Sequence, residues 1–198
     1  MAKSRFHLVT LCFLGALALV ATSCAAPETD RPLYVESSFT DEEATAIVAA
    51  IEAWNYAGRE YVGENLIDYR GRWTDQNGFD PNADFNDGRS VIYRVEDEAA
   101  YRQLTAGLPG KTGGLSFGED TVVFTGVLQA ETYSHGEAVQ YVLIHELGHW
   151  LGLPDERRED RTDSVMYWRR SSSDAPRLEL APSDIENLCV FYDCERKP

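Results

Sequence analysis

Apolar residues recur along this chain with two periods, and the switches between them mark out its elements. Ala44, Ile47, Val48, Ile51 and Trp54 follow one another at helical steps, which puts them on one face of a helix. Thr40, three residues before Glu43, supplies a reciprocal cap for its first turn. A second long helix opens at Ser134 with Glu137 in the same relation and closes at Gly152; Pro154 bars any continuation. Residues 33–36, 66–70 and 90–95 are short runs that read as strands by their β-branched and aromatic content. Residues 115–129, centred on Thr121-Val-Val-Phe-Thr125, read as one further strand just before the second long helix. Residues 96–105 predict a shorter helix and 107–114 a flexible connection. A last helix starts at Pro182-Ser183-Asp184 and carries Ile185, Leu188, Cys189 and Tyr192 on one face. No internal repeat or low-complexity tract breaks this order.

The chain opens differently. Lys3 and Arg5 precede an apolar run, 8–21, that is too short for a comfortable membrane span, as in an export signal. Ala21-Thr22-Ser23-Cys24 resembles a bacterial lipobox with alanine in place of the more usual leucine, which would make Cys24 the lipidated first residue of the mature chain. The alternative is an ordinary secretory signal cleaved nearby. Either reading exports the protein, and a lipid would tether it without a spanning helix. The expected organisation is a signal over 1–24, a polar linker over 25–32 and one domain over 33–198. A chain of 198 residues, 43% hydrophobic and 26% charged, suits a single globular core.

Removal of 1–23 takes Lys3 and Arg5 and no acidic residue, so the formal net charge moves from −15 to −17. Such a surface argues against nucleic acid and anionic membranes as partners, leaving Cys24 as the route to a membrane. It mildly favours neutral or cationic polypeptides, although an acidic coat also serves solubility alone. Cys12 leaves with the signal, which places Cys189 and Cys194 in an oxidising compartment where a disulfide is expected. Five positions apart in a continuous helix they could not meet, so the bond requires the last helix to end near residues 191–192. A buried Cys189 thiol is the alternative. Residues 74–89 hold Asp80, Asn82, Asp84, Asn86 and Asp87, whose alternating oxygens could hold calcium. Phe85 and Val91 occupy the places where an EF-hand needs glycine and glutamate, so a solvated turn-rich loop is the better reading and Ca2+ stays unsupported.

The chemistry concentrates at the end of the second long helix. His145 and His149 stand four apart, so both imidazoles leave one face of the helix a turn apart, as two ligands of one zinc would. Glu146 follows the first histidine and can act as base on an activated water without being a ligand. A third ligand follows by elimination. His7 lies in the signal, and His135 sits ten residues upstream, roughly 15 Å along the axis. Asp155, just past the Gly-Leu-Pro break, is then the natural choice, with Glu156 the runner-up.

The whole pattern reads H-E-x-x-H-x-x-G-x-x-D, followed by Ser164-Val165-Met166-Tyr167. It resembles the metzincin clan of zinc endopeptidases. Aspartate in the third ligand place is similar to snapalysin, Ser-Val-Met-Tyr to the matrixin Met-turn, and Leu180-Ala-Pro-Ser-Asp-Ile185 to the start of the last matrixin helix. The resemblance implies an α+β fold: a twisted mixed β-sheet, a long active-site helix, a Met-turn and a C-terminal helix, with an upper part over 33–152 and a lower part over 153–198. It implies His145, His149 and Asp155 as ligands of one catalytic Zn2+, Glu146 as general base, and Met166 as an apolar floor under the metal. The strand at 115–129 would be the sheet edge that pairs with extended substrate, and 168–175 would wall the pocket for the residue after the scissile bond. Trp168 replaces a tyrosine that approaches the zinc in astacin-like members, so that role is not carried over, and Tyr167 is unassigned. Histidines that bind a structural zinc in matrixins are missing from 74–89, so no second zinc is expected.

The function implied is hydrolysis of peptide bonds by a metal-activated water, in a monomer that is either a cell-envelope lipoprotein or secreted, with polypeptide as substrate. A further reading has the same site serve one dedicated envelope or peptide substrate. A rival of another class is an envelope-anchored binding module whose zinc is structural; the intact Glu146 counts against it, since a structural site needs no base.

Overall fold

Leu33 and Val35 point one way from the first strand, β1 (Pro32–Glu36), and Tyr34 points the other, so both sheet faces are covered. The computed structural model of the chain describes residues 32–74, 80, 87–108, 112–128, 133–168 and 175–194. The signal segment, most of the linker, 75–79 and 81–86 of the candidate calcium loop, and 169–174 of the expected pocket wall lie outside these. The other strands are β2 (Asp68–Trp73), β3 (Ser90–Arg94), β4 (Gly114–Phe117) and β5 (Asp120–Val123), in the order β2-β1-β3-β5-β4. The β1–β2, β1–β3 and β3–β5 pairings are parallel, with Leu33 opposite Ser90 and Ile92 opposite Thr121. β4 alone pairs antiparallel, with Phe117 opposite Asp120.

Two of these strands correct the sequence reading. Residues 115–129 do not form one strand: Gly118-Glu119 turns the chain back, β5 lies inside the sheet, and β4 is its edge. Leu115 and Phe117 on one side and Val122, Val123 and Phe124, buried on both sheet faces, on the other read together as one strand and masked the glycine and two acidic residues that make the turn. β2 starts at Asp68 and not at Leu66, because the Asn55 side chain takes both backbone groups of Ile67, at 2.8 and 3.0 Å.

The helices are α1 (Asp41–Ala57), α2 (Glu98–Leu104), α3 (His135–Trp150) and α4 (Pro182–Phe191). Both expected capping boxes form, at Thr40 with Glu43 and at Ser134 with Glu137. α1 buries Ile47, Ile51 and Trp54 but leaves Val48 43% exposed, just outside the apolar face. It packs on α3, and the buried Trp54 indole donates to Ile144 O at 2.8 Å. α2 is shorter than predicted because Asp97 caps it; it covers the other sheet face, with Tyr101 edge-on to Phe124 at 5.0 Å. A π-helical turn, Gly58–Val62, leads from α1 toward β2.

α1 and α3 run side by side in one direction. Glu42 and Glu43 meet Gly136 and His135 at one end, and Trp54 meets Ile144 further along. Both run against β1, β3 and β5, since the Trp150 indole donates to Glu119 O at the start of β5 (2.8 Å). The C-terminal ends of both helices therefore share one end of the molecule with the N-terminal ends of β1, β3 and β5. Beyond α3, Gly152 turns the chain at φ 90° with its N–H on His149 O, the expected stop. α4 ends at Phe191, and Cys189 and Cys194 are bridged with Cα atoms 4.7 Å apart.

Candidate metal centre and active site

α3 buries Leu143, Ile144 and Leu147, which turns His145 and His149 toward a partly open face. Each ring is held by a backbone carbonyl: His145 Nδ1 at 2.8 Å from Val165 O, His149 Nδ1 at 2.9 Å from Leu153 O. A carbonyl can only accept, so both Nδ1 atoms carry the proton and both Nε2 atoms present lone pairs. Those lone pairs face each other at 3.1 Å, an arrangement that repels unless a cation or proton lies between them. Asp155 Oδ1 lies 3.7 Å from His145 Nε2 and 3.4 Å from His149 Nε2. The three ligand atoms all fall within 4.8 Å of one another. Tetrahedral zinc, with ligands at about 2.0–2.2 Å, sets its ligands roughly 3.3 Å apart, so this donor set fits it closely.

Glu156, the runner-up, is turned away. Neighbours in extended backbone point to opposite sides, and Glu156 is tied there as a bridge to Tyr167, with its N–H on Met166 O (2.7 Å) and its O accepting from Trp168 N (3.1 Å). Its buried carboxylate accepts from Arg158 N at 2.9 Å and lies 3.7 Å from Arg161. Asp155 thereby faces the histidines. The Arg157 guanidinium lies 3.9 Å from Asp155 Oδ2 and 5.8 Å from the centroid of the Trp168 ring beneath it. His135 is well away from the centre, 2.9 Å from the buried Glu43. Burial pushes the Glu43 carboxyl up, but hydrogen bonds with His135, Thr40 and Arg94 outweigh it and hold the group below its ordinary value.

Glu146 is buried at 7% exposure beside this cluster, under β4. Burial pushes its carboxyl up to about 8; the Ser116 hydroxyl offsets part of the rise and the Asp155 charge adds to it. Ser116 also donates to Glu146 O at 2.7 Å, which ties the edge strand to the helix at this residue. That value belongs to the metal-free protein, in which Glu146 holds its proton at neutral pH; a cation held by the neighbouring donors would favour the charged form and free the carboxylate to act as a base.

Met166 is fully buried below α3, and it comes so close that a Cβ on Gly148 would stand 2.2 Å from its sulfur. Glycine at 148 is what lets the Met-turn reach the helix. The turn itself hangs from α4: the fully buried Asp184 accepts from Ser164 Oγ, from Val165 N (3.0 Å) and from Ala181 N (2.8 Å). Val165 thus takes support through its N–H and gives it through its O to His145. Sequence reasoning saw Asp184 as the opening of a helix and missed this role, and it missed Ser116 entirely. Both act across the fold, at 20 and 30 positions' separation, where no local spacing signals them.

The matrixin peptidase family model matches residues 36–193. No curated protein sequence matches. Among solved structures, myroilysin is similar at 10% identity over 88% of this chain and 84% of its own, with a TM-score of 0.50. Archaemetzincin from Methanopyrus kandleri matches at 19% identity over 88% and 99%, TM-score 0.48. High choriolytic enzyme 1, a hatching enzyme zinc-protease from the medaka fish Oryzias latipes, matches at 17% over 88% and 97%, TM-score 0.41.

Proposed function

The chain belongs to the matrixin family of zinc metalloendopeptidases, and we propose that it cleaves polypeptides with Glu146 as base and His145, His149 and Asp155 as its zinc ligands, and, from its N-terminal sequence, that it is exported and tethered by a lipid on Cys24. One observation supports the site above all: two histidines of fixed tautomer and a carboxylate converge on a point beside a buried glutamate. Zinc held there would lower the pKa of a coordinated water and polarise the scissile carbonyl. Glu146 takes the proton of the attacking water on a carboxylate oxygen and delivers it to the leaving amine. Asp155, unlike a third histidine, brings negative charge to the metal, and the nearby Arg157 guanidinium offsets part of it. The edge strand β4 offers backbone groups for an extended substrate, which gives affinity with little dependence on sequence.

The anchoring reading is carried by Ala21-Thr22-Ser23-Cys24 after a short apolar run. Labelling with radioactive palmitate tests it, with a Cys24→Ala control that should take no label. Glu146→Ala tests the chemistry: it should keep zinc and lose at least about a hundredfold in cleavage of a casein-type substrate or a peptide library. Full activity in that variant would sink the mechanism. Zinc without turnover on any peptide in the unaltered chain would point to a binding module instead.

A further inference from the structure

The tether and the metal centre leave the molecule at the same end. β1 begins at the exposed Pro32, so the chain arriving from residue 24 enters at the N-terminal end of the parallel strands. α3 runs against those strands, so His149, the Gly152 turn and Asp155 lie at that same end, next to the Glu119 turn that Trp150 holds. β1 and β5 are two strand spacings apart, about 10 Å. Eight residue steps separate Cys24 from Pro32, a reach of about 28 Å when fully extended. A domain of this size is about 40 Å across. The tether is thus shorter than the body it holds, and the end it enters cannot swing far from the anchor point.

Several large apolar side chains are exposed at or near that end. Tyr56 is 62% exposed in the last turn of α1, Tyr61 43% in the π-helical turn, and Val190 80% in the last turn of α4, which packs against that turn. Phe117 precedes the β4–β5 turn, and Trp168, 52% exposed, follows the Met-turn. Tyrosine and tryptophan side chains, with an apolar body and a polar tip, suit the interface between water and lipid headgroups.

We propose that the anchored enzyme stands with its metal end toward the membrane and acts on polypeptide segments presented close to that surface, in preference to freely diffusing chains. This rests on the lipid-anchored peptidase reading above and names its substrate class. The acidic charge of the domain does not bind it to the bilayer; the tether does, and it sets which way the cleft faces. A substrate held by its own short stalk meets the cleft at a high effective concentration, and one on a long stalk does not.

The lipidated full chain, reconstituted with zinc into phosphatidylcholine vesicles, gives the test. One fluorogenic peptide is offered coupled to a lipid headgroup through a spacer of about 20 Å or of about 100 Å. The short-spacer peptide should be cleaved about tenfold faster, following the decline of effective concentration with length. A Gly/Ser insert of 40 residues between Thr29 and Asp30 should abolish that preference. In parallel, a fluorescent donor at Glu60 or at Thr45, opposite ends of the rod formed by α1 and the π-helical turn and roughly 22 Å apart, reports transfer to an acceptor in the membrane, and Glu60 should transfer more. A membrane-bound, active enzyme with Thr45 nearer the bilayer, or with no preference for the short spacer, overturns the inference while leaving the anchored peptidase standing. Failure to associate with vesicles overturns it through the anchor, and cleavage of neither peptide overturns it through the peptidase.

Discussion

A histidine offers a metal its Nε2 when something else holds the proton on Nδ1, and here two backbone carbonyls do so. Val165 O and Leu153 O come from two different stretches after α3, so the correct tautomers depend on how the chain folds back beneath the helix. Glu146 carries the main consequence at this scale. In the metal-free protein its carboxyl sits at about 8, far above the unfolded value, so between about pH 4.5 and 8 the folded state holds a proton that the unfolded state has lost. That contribution to stability is fully present below the unfolded value and disappears as pH rises through 8. Urea unfolding in EDTA should show metal-free protein weakening across this window, and Glu146→Gln should flatten that part of the curve. Glu43, whose value is lowered, acts below the window in the opposite sense, because its contribution is lost as pH falls. An unchanged slope in Glu146→Gln would mean that the buried proton is not on Glu146. The helical spacing of His145, His149 and Glu146 was legible because it repeats with the helix itself. Asp155 over Glu156 needed coordinates to decide, since what separates them is which side of an extended strand each faces.

α4 works as a bracket for the Met-turn. Asp184 sits at the third position of the helix, where it accepts from Ala181 N as a cap, and the same carboxylate reaches Ser164 and Val165. Asp184→Ala would leave the buried Val165 N–H and the half-buried Ala181 N–H without that acceptor and should cost about 3 kcal/mol in chemical denaturation. It should also weaken zinc binding, because Val165 carries His145. A variant equally destabilised but with unchanged zinc affinity would show that the turn is held by packing alone. The Cys189–Cys194 bridge closes so short a loop that its loss, in the Cys189→Ala/Cys194→Ala double variant, should cost about 2 kcal/mol. At this scale the sequence was read well where caps and periodicity coincide, in α1 and α3. It was read poorly where side chains replace ladder bonds or where a short polar turn separates two apolar stretches, as at Asn55 with Ile67 and at Gly118.

On the scale of the whole molecule, the three residues proposed to hold the metal come from the two sides of one turn. His145 and His149 belong to the helix packed on the sheet, and Asp155 belongs to the segment beyond Gly152 that continues to the Met-turn and α4. Sheet, α1 and α3 share one large core, whereas the stretch after Gly152 joins it through Leu153, Val165, Met166 and Leu188. An ion bound to both sides closes the structure across that turn, and its affinity adds to stability by mass action. At free zinc about a hundred times the dissociation constant the gain is about 2.7 kcal/mol. For a domain of this length that raises the melting temperature by about 5–10 °C. Calorimetry in zinc-buffered solution against EDTA should show this rise. Asp155→Ala at the same free zinc should lose most of it while melting like the unaltered protein in EDTA, since a half-exposed carboxylate contributes little to packing. If the variant kept the full zinc-dependent rise, two histidines would be enough to hold the ion, and the segment beyond Gly152 would have no part in binding it.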